Sequence, residues 1–246
     1  MKIQYKDKTL DIERGSKIYD IFKDEIENSE YTAVGAIYNN EYVNLSRHMN
    51  FDGTVDFITI NSKVGNQIYR RTLIYIFAMA LKKLYPDNRA TVNYQMENAV
   101  YCDLGDIQIT EDVVSKINDE MREIVKKNLF IRKAVMNREQ ANEFYKKTKT
   151  ARGRLQYDLK SNRKIYMYYC DDYFNYCYGV LARTTGAIKI FDIINKRFLS
   201  LIVVFVRNHM IIPAGIVIYI ALSNTNIVLS MIDLRIVFNI LGFLYG

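Results

Sequence analysis

Polar and apolar positions in the first sixty residues alternate in the way expected of short strands around one helix. Residues 2–6 and 9–12 alternate in polarity on either side of a turn at residues 6–8, which predicts a β-hairpin. Ser16 is a predicted N-cap, because the apolar residues that follow it keep helical spacing. Three further strands are predicted at residues 33–38, 41–45 and 55–60, the first two joined by the Asn39-Asn40 turn. These elements predict a small mixed domain.

A longer helical pattern opens the next part of the chain. Apolar residues recur on one face of residues 67–85, and Pro86 ends the pattern. Thr110 is a predicted N-cap for a second helix, and Asn137 with Gln140 forms a predicted capping box for a third. Strands are predicted between and after these helices at residues 90–94, 131–135, 165–169 and 187–190. This mixture predicts an α+β fold.

Composition places the chain among globular proteins, with 50% hydrophobic and 25% charged residues. The formal net charge is +7, which permits anionic partners without requiring them. The three cysteines, Cys102, Cys170 and Cys177, have no CxxC spacing, so the sequence predicts reduced thiols rather than a disulfide framework or a zinc ribbon. We therefore expect a cytoplasmic protein that holds no metal or cofactor.

The last fifty residues differ from the rest of the chain in charge. Their charged residues are Arg197, Arg207, Asp233 and Arg235. The apolar run that begins at residue 210 contains a proline and ends at the polar residues 223–226, which argues against a single membrane helix. We expect residues 196–246 to be an apolar tail, either an out-of-frame product of an AT-rich gene or a membrane hairpin.

Three segments of the first domain resemble a TGS domain, the β-grasp module found in threonyl-tRNA synthetases and several regulatory nucleotide enzymes. They read TLDIERGSKIYDI, AVGAIYNNEYVNL and DGTVDFITI, and they include the Asn-Asn hairpin and the Asp-Gly turn before the last strand. The resemblance implies a β-grasp domain over residues 1–62.

Residues 63–195 resemble the editing-type second domain of threonyl-tRNA synthetase, which alanyl-tRNA synthetase shares. The matching segments include LIYIFAMALKKLYPDNRATVNYQMENAVYCDL and YCDDYFNYCYG. Residues 1–195 also resemble the N-terminal half of bacterial uridine or nucleoside kinases. The sequence, especially in GNQIYRRTLIYIFAMALKKLYP and RGRLQYDL, resembles those kinases more closely than a synthetase. The chain lacks the GxxxxGK[ST] motif of the kinase domain, so this second resemblance implies a chain cut off before its ATP-binding domain.

Editing domains of this family carry a helical HxxxH pair and a later CxxxH pair. These side chains converge to bind one ion or one ester. The resemblance places Arg71 and Tyr75 at the HxxxH positions, and Cys177 and Leu181 at the CxxxH positions. A leucine can neither bind a metal nor transfer a proton, so the resemblance implies a vestigial pocket without catalytic or metal-binding residues. Arg71 could then contact a phosphate and Tyr75 could stack or donate a hydrogen bond, or both could be ordinary helix residues.

Two further segments, one basic and one rich in tyrosine, could either bind RNA or have a purely structural role. Basic residues Lys146, Lys147, Lys149, Arg152 and Arg154 could contact RNA or belong to a solvated loop after a helix. The tyrosines of residues 165–178 could stack on bases or form a packed strand pair, with Asp171-Asp172 as its turn. We favour the strand pair.

The sequence thus predicts a non-catalytic region that binds RNA, a nucleotide or a nucleoside and regulates a truncated uridine kinase-like protein. A divergent tRNA-editing hydrolase and a module held at a membrane by the tail are the alternatives.

Overall fold

The computed structural model describes residues 1–88, 90–96, 99–148, 165–196 and 201–206, all of which lie in one unit formed by residues 1–208. The described strands are β1 (Lys2–Tyr5), β2 (Lys8–Asp11), β3 (Ala33–Tyr38), β4 (Glu41–Val43), β5 (Gly53–Thr59), β6 (Thr91–Met96), β7 (Ala99–Asp103), β8 (Arg132–Met136), β9 (Ile165–Cys170), β10 (Tyr173–Tyr176), β11 (Phe191–Lys196) and β12 (Leu201–Val206). The described helices are α1 (Ile18–Ile21), α2 (Lys23–Glu27), α3 (Lys63–Leu84), α4 (Glu111–Lys126) and α5 (Arg138–Thr148). The α+β fold predicted from the sequence is confirmed.

The first five strands form one sheet in the order β2-β1-β5-β3-β4. β1 pairs in parallel with β5 and antiparallel with β2, while β3 pairs antiparallel with both of its neighbours. The predicted Asn39-Asn40 turn has positive φ at both residues, the geometry that joins two strands tightly. The helix predicted after Ser16 has Lys17 and not Ser16 as its N-cap residue, so that predicted cap is wrong. This helix divides at Phe22, whose fully buried ring packs in the core beneath the first sheet.

Side-chain caps begin the three long helices. Ser62 accepts a hydrogen bond from the Gly65 amide, so α3 starts four residues before the predicted helix. Thr110 caps α4 as predicted, by accepting from the Val113 amide. Asn137 and Gln140 exchange the two hydrogen bonds of a capping box at α5, also as predicted. Serine, threonine and asparagine in these positions satisfy amides that the helix itself leaves without partners.

Two more sheets follow, one in the order β10-β9-β8 and one in the order β11-β12-β7-β6. The predicted strand pair within residues 165–178 is confirmed as β9 and β10, and Asp171 has the positive φ of a tight turn between them. β12 lies beyond residue 195, where the tail is predicted to begin, and it pairs with β7 and β11. The domain boundaries remain predictions, and residues 207–246 lie outside the described part of the chain.

The strand predicted at residues 187–190 is wrong, because the chain forms a 3-10 turn at Thr185–Ala187 and enters β11 only at Phe191. The buried Thr185 hydroxyl donates to the Ile124 carbonyl at 2.8 Å and accepts from the Leu129 amide at 2.9 Å. These contacts with the end of α4 hold the segment in a turn.

The larger core combines buried residues of α3 and α4 with residues of β3 and β5 in the first sheet and of β7, β9 and β11. Leu73 and Ile76 of α3 are fully buried, as are Ile117 and Met121 of α4. This packing positions the face of α3 that carries the predicted site residues. Among the residues that the structure describes, no helix combines the length and apolar character needed to cross a bilayer.

Candidate functional site

Tyr75 lies in α3 one turn after Arg71, and its side chain is buried against the β9–β10 hairpin. Its hydroxyl is 3.0 Å from the Tyr168 carbonyl oxygen and 3.3 Å from the Tyr173 carbonyl oxygen. The Tyr75 and Tyr173 rings meet edge to face at 5.2 Å between centroids. Tyr75 is therefore a structural hydrogen-bond donor to the hairpin backbone.

Arg71 is half-buried and packs against the backbone of Gly179. Gly179 has φ +92°, and a Cβ added there would lie 2.9 Å from Nη1 of Arg71, so the position suits only glycine. The Gly179 carbonyl accepts a hydrogen bond of 2.6 Å from the Tyr168 hydroxyl. Arg71 and Tyr168 thus both contact the backbone of Gly179, in the segment that follows Cys177.

Leu181 and Cys177 differ in burial. Leu181 is fully buried, and its carbonyl accepts from Asn44 Nδ2 at 2.7 Å, which links this segment to the residue that follows β4. Cys177 is half-buried, with Sγ 3.8 Å from the Tyr178 carbonyl oxygen. A fully buried aliphatic side chain therefore stands where the family resemblance implies a histidine.

Electrostatics connect two of the predicted site residues, Arg71 and Cys177, through Tyr168. Burial raises the pKa of the Tyr168 hydroxyl, nearby Cys177 raises it further, and the positive charge of Arg71 opposes the shift. Burial likewise raises the pKa of the Tyr75 hydroxyl, to which Tyr173 and Cys177 contribute. Arg71, Tyr75 and Cys177 therefore lie near the β9–β10 hairpin and the residues that follow it, while their assignment to one pocket stays a prediction.

Two other thiols are poorly suited to nucleophilic chemistry. Burial raises the pKa of Cys102 to about 12 and that of Cys170 to about 11. Both thiols stay protonated near neutral pH, and the thiolate is the reactive form. Among the described residues, no group of three or more histidine, cysteine, aspartate or glutamate side chains could hold a metal ion.

The Tyr75 hydroxyl makes the stability of the fold sensitive to alkaline pH. In the unfolded chain it ionises near pH 10.0, whereas the folded state holds it neutral because its pKa is raised. Its contribution is complete below pH 10 and is lost as the pH rises towards the folded-state value. We expect Tyr75→Phe to lower the free energy of unfolding by about 1 kcal/mol at pH 7 and to flatten the decline above pH 10.

Urea unfolding followed by circular dichroism at several pH values measures both effects. Tyr42→Phe serves as the control. Because Tyr42 is exposed, its replacement should leave the free energy of unfolding at pH 7 unchanged. An unchanged alkaline decline in Tyr75→Phe would contradict the prediction.

The predicted basic cluster is only partly within the described residues. Lys146 and Lys147 are exposed in the last turn of α5. Lys149, Arg152 and Arg154 lie outside the described residues.

Sequence reasoning missed two residues that hold the site segment. The Arg183 guanidinium carbon lies 3.6 Å from the ring centroid of Tyr19 in α1 and 4.8 Å from that of Phe130. Thr72 is fully buried, and its hydroxyl accepts from the Ala182 amide at 2.9 Å. The position of Thr72 in the helical pattern predicts only that it lies on α3. No local sequence pattern indicates its hydrogen bond with the distant Ala182 amide.

Comparison with known proteins gives matches to threonine–tRNA ligases. The chain is 31% identical over 192 residues to that of Clostridium novyi and 31% identical over 185 residues to that of Clostridium tetani, which covers 77% and 74% of this chain. It is 30% identical over 164 residues to that of Fusobacterium nucleatum, covering 65% of this chain. No family model matches the chain.

The chain spans less than a third of the length of these relatives, with 30%, 29% and 26% of their sequences matched. The matches give no support to the relation with uridine kinases. They support a region similar to the N-terminal part of threonine–tRNA ligases.

Proposed function

We propose that this chain is an RNA-binding region of the threonine–tRNA ligase type that recognises tRNA without hydrolysing an ester. The observation that carries the proposal is its similarity, over up to 77% of its length, to enzymes whose names state that they act on tRNA. Such a role suits a cytoplasmic protein, where tRNA is present.

The side chains at the four site positions argue against the divergent editing hydrolase. Leu181 is fully buried and aliphatic, and the Tyr75 hydroxyl lies against two backbone carbonyls. Neither can act as a general base, because that role needs a group that accepts a proton near operating pH. The four positions retain one cation, Arg71, which suits binding better than catalysis.

Arg71 is the residue we expect to contact the RNA backbone. It is half-buried, and it supports Gly179 at the start of the segment that ends in Leu181. A guanidinium in a fixed position can bind a phosphate through two parallel hydrogen bonds, which a flexible lysine does less well.

Replacing Arg71 with alanine should weaken tRNA binding by about tenfold at low salt, because a charge-assisted hydrogen bond is lost. Fluorescence anisotropy with labelled tRNA measures the change. Lys63→Ala is the matched control, since it removes one exposed positive charge from the first turn of the same helix. The control should bind nearly as well as the unaltered chain.

Equal loss of binding in Arg71→Ala and Lys63→Ala would remove Arg71 from the proposal, and no binding of tRNA by the unaltered chain would overturn it. Hydrolysis of mischarged tRNA above the background rate, abolished by Cys177→Ala, would instead establish the hydrolase.

The narrower relation to a uridine or nucleoside kinase stays a prediction, as does an out-of-frame origin of the tail. Translating the DNA downstream in the other two frames tests both, and recovery of a GxxxxGK[ST] segment would support them. Attachment to a membrane through the tail would appear as retention with lipid after carbonate washing.

A further inference from the structure

We infer that Tyr168 is a positioning residue for the proposed RNA site, because its hydroxyl fixes Gly179 and Gly179 in turn supports the Arg71 guanidinium. This inference rests on the proposed function, in which Arg71 contacts a phosphate of the RNA. Tyr168 lies in β9 and is fully buried, so it acts through Arg71 and does not itself touch the RNA.

Three contacts link Tyr75 to Arg71, so that a ring of contacts begins and ends on α3. The Tyr75 hydroxyl donates to the Tyr168 carbonyl oxygen at 3.0 Å. The Tyr168 hydroxyl donates to the Gly179 carbonyl oxygen at 2.6 Å. Gly179 packs against the guanidinium of Arg71, one helical turn before Tyr75. A displacement of the Tyr168 hydroxyl would therefore reach Arg71 through a single glycine.

The guanidinium of Arg71 lies with its flat face against Gly179. A Cβ built on Gly179 would lie 2.9 Å from Nη1, 3.0 Å from Cζ and 3.3 Å from Nε of Arg71. Similar distances to three atoms of the group indicate that its plane faces the glycine. The N–H donors of a guanidinium lie in that plane, so packing on Gly179 leaves them able to bind a phosphate.

Gly179 needs a restraint from outside its own backbone, because glycine adopts many backbone conformations. The Thr72 hydroxyl accepts from the Ala182 amide at 2.9 Å and holds the far end of this segment on α3. The Tyr168 hydroxyl holds the near end at Gly179. Ordering a free arginine side chain costs conformational entropy, and a guanidinium that is held in place before binding avoids this cost.

The first test is Tyr168→Phe, which removes the hydroxyl and keeps the ring in the core. We expect it to weaken tRNA binding about threefold at low salt, because the charge of Arg71 remains and only its position is lost. Fluorescence anisotropy with labelled tRNA measures the change. In the Arg71→Ala background the same replacement should cause no further loss, since its effect acts through Arg71.

Tyr69→Phe is the matched control. Tyr69 is a buried tyrosine of the same helix, and its hydroxyl donates to the Ile190 carbonyl at 2.9 Å and accepts from the Ile190 amide at 2.8 Å. Both replacements remove buried hydrogen bonds, so both should lower the stability of the fold. Tyr69→Phe should leave tRNA binding unchanged. An equal loss of binding in the two variants would show an effect of stability alone and would overturn the inference.

A measurement on the unaltered chain keeps the inference testable if Tyr168→Phe fails to fold. The Nε–H signal of Arg71, assigned in NMR spectra with Arg71→Lys, should show a heteronuclear NOE as high as that of the α3 backbone amides. The signal of the exposed Arg14 should show a low one. A low value at Arg71 would mean that its guanidinium is not held, which would overturn the inference.

The outcomes separate this inference from the proposed function. If Arg71→Ala weakens tRNA binding while Tyr168→Phe binds as tightly as the unaltered chain and leaves the Arg71 NOE unchanged, Tyr168 does not position Arg71 and the proposed function stands. Additive losses in the double variant would likewise overturn the inference alone. If the unaltered chain does not bind tRNA, both fail.

Discussion

Replacing Thr72 with valine is expected to lower the free energy of unfolding by about 2 kcal/mol. The Thr72 hydroxyl is fully buried, donates to the Ile68 carbonyl at 2.8 Å and accepts from the Ala182 amide at 2.9 Å. Valine has nearly the same shape but cannot accept a hydrogen bond. The Ala182 amide would then be buried without a partner, which costs more than the bond contributed.

Chemical denaturation followed by circular dichroism measures this loss. Thr72→Ser is the matched control, because it keeps the hydroxyl and removes only a methyl group, at a cost of about 1 kcal/mol. A valine variant at least as stable as the serine variant would show that the contact with Ala182 does not hold the segment. We also expect the valine variant to bind tRNA less tightly than the serine variant, since the segment carries Gly179 and Arg71 packs on it.

Gly65→Ala is expected to destabilise the fold by about 3 kcal/mol, although alanine is the better helix former. A Cβ at Gly65 would lie 1.9 Å from the Thr59 carbonyl oxygen, which belongs to the backbone of β5. No side-chain rotation can relieve that overlap, so the start of α3 must move away from the sheet. Helix propensity alone predicts stabilisation of about 1 kcal/mol. The sign of the measured change therefore distinguishes the effect of helix propensity from that of the overlap with Thr59.

Thermal and denaturant unfolding of Gly65→Ala measure this effect. Lys63→Ala is the control, since Lys63 is exposed in the same first turn and its replacement should change stability by less than about 0.5 kcal/mol. A gain in stability for Gly65→Ala would mean that α3 does not approach β5 so closely.

Sequence patterns predicted those parts of the fold that depend on near neighbours. The capping residues at Thr110 and at Asn137 with Gln140 act as expected, because a cap binds amides two or three residues away. The prediction of a strand at residues 187–190 failed because Thr185 bonds to Ile124, a residue 61 positions away. Apolar spacing over four residues carries no signal of such a contact.

In the candidate site, too, local sequence patterns predicted some features and gave no indication of the distant contacts. The spacing of Arg71 and Tyr75 predicts one helix face, and the resemblance supplies Cys177 and Leu181. The positive φ of Gly179 and the link from Asn44 to Leu181 had no counterpart in any local pattern.

The sequence by itself determined that this protein is an α+β chain, that α4 and α5 begin at the caps Thr110 and Asn137, and that imidazoles are missing from the inferred editing positions. It did not determine the start of α1, where Lys17 and not the predicted Ser16 is the N-cap residue, or that of α3. Only the tertiary structure decided that Leu181 is buried, that Thr72 holds Ala182, and that the Tyr168 hydroxyl reaches Gly179. The physical reason is the range of the interactions. Caps and periodic faces act within a few residues, whereas the Thr72–Ala182 hydrogen bond spans 110 positions and requires α3 to pack against the segment that follows β10.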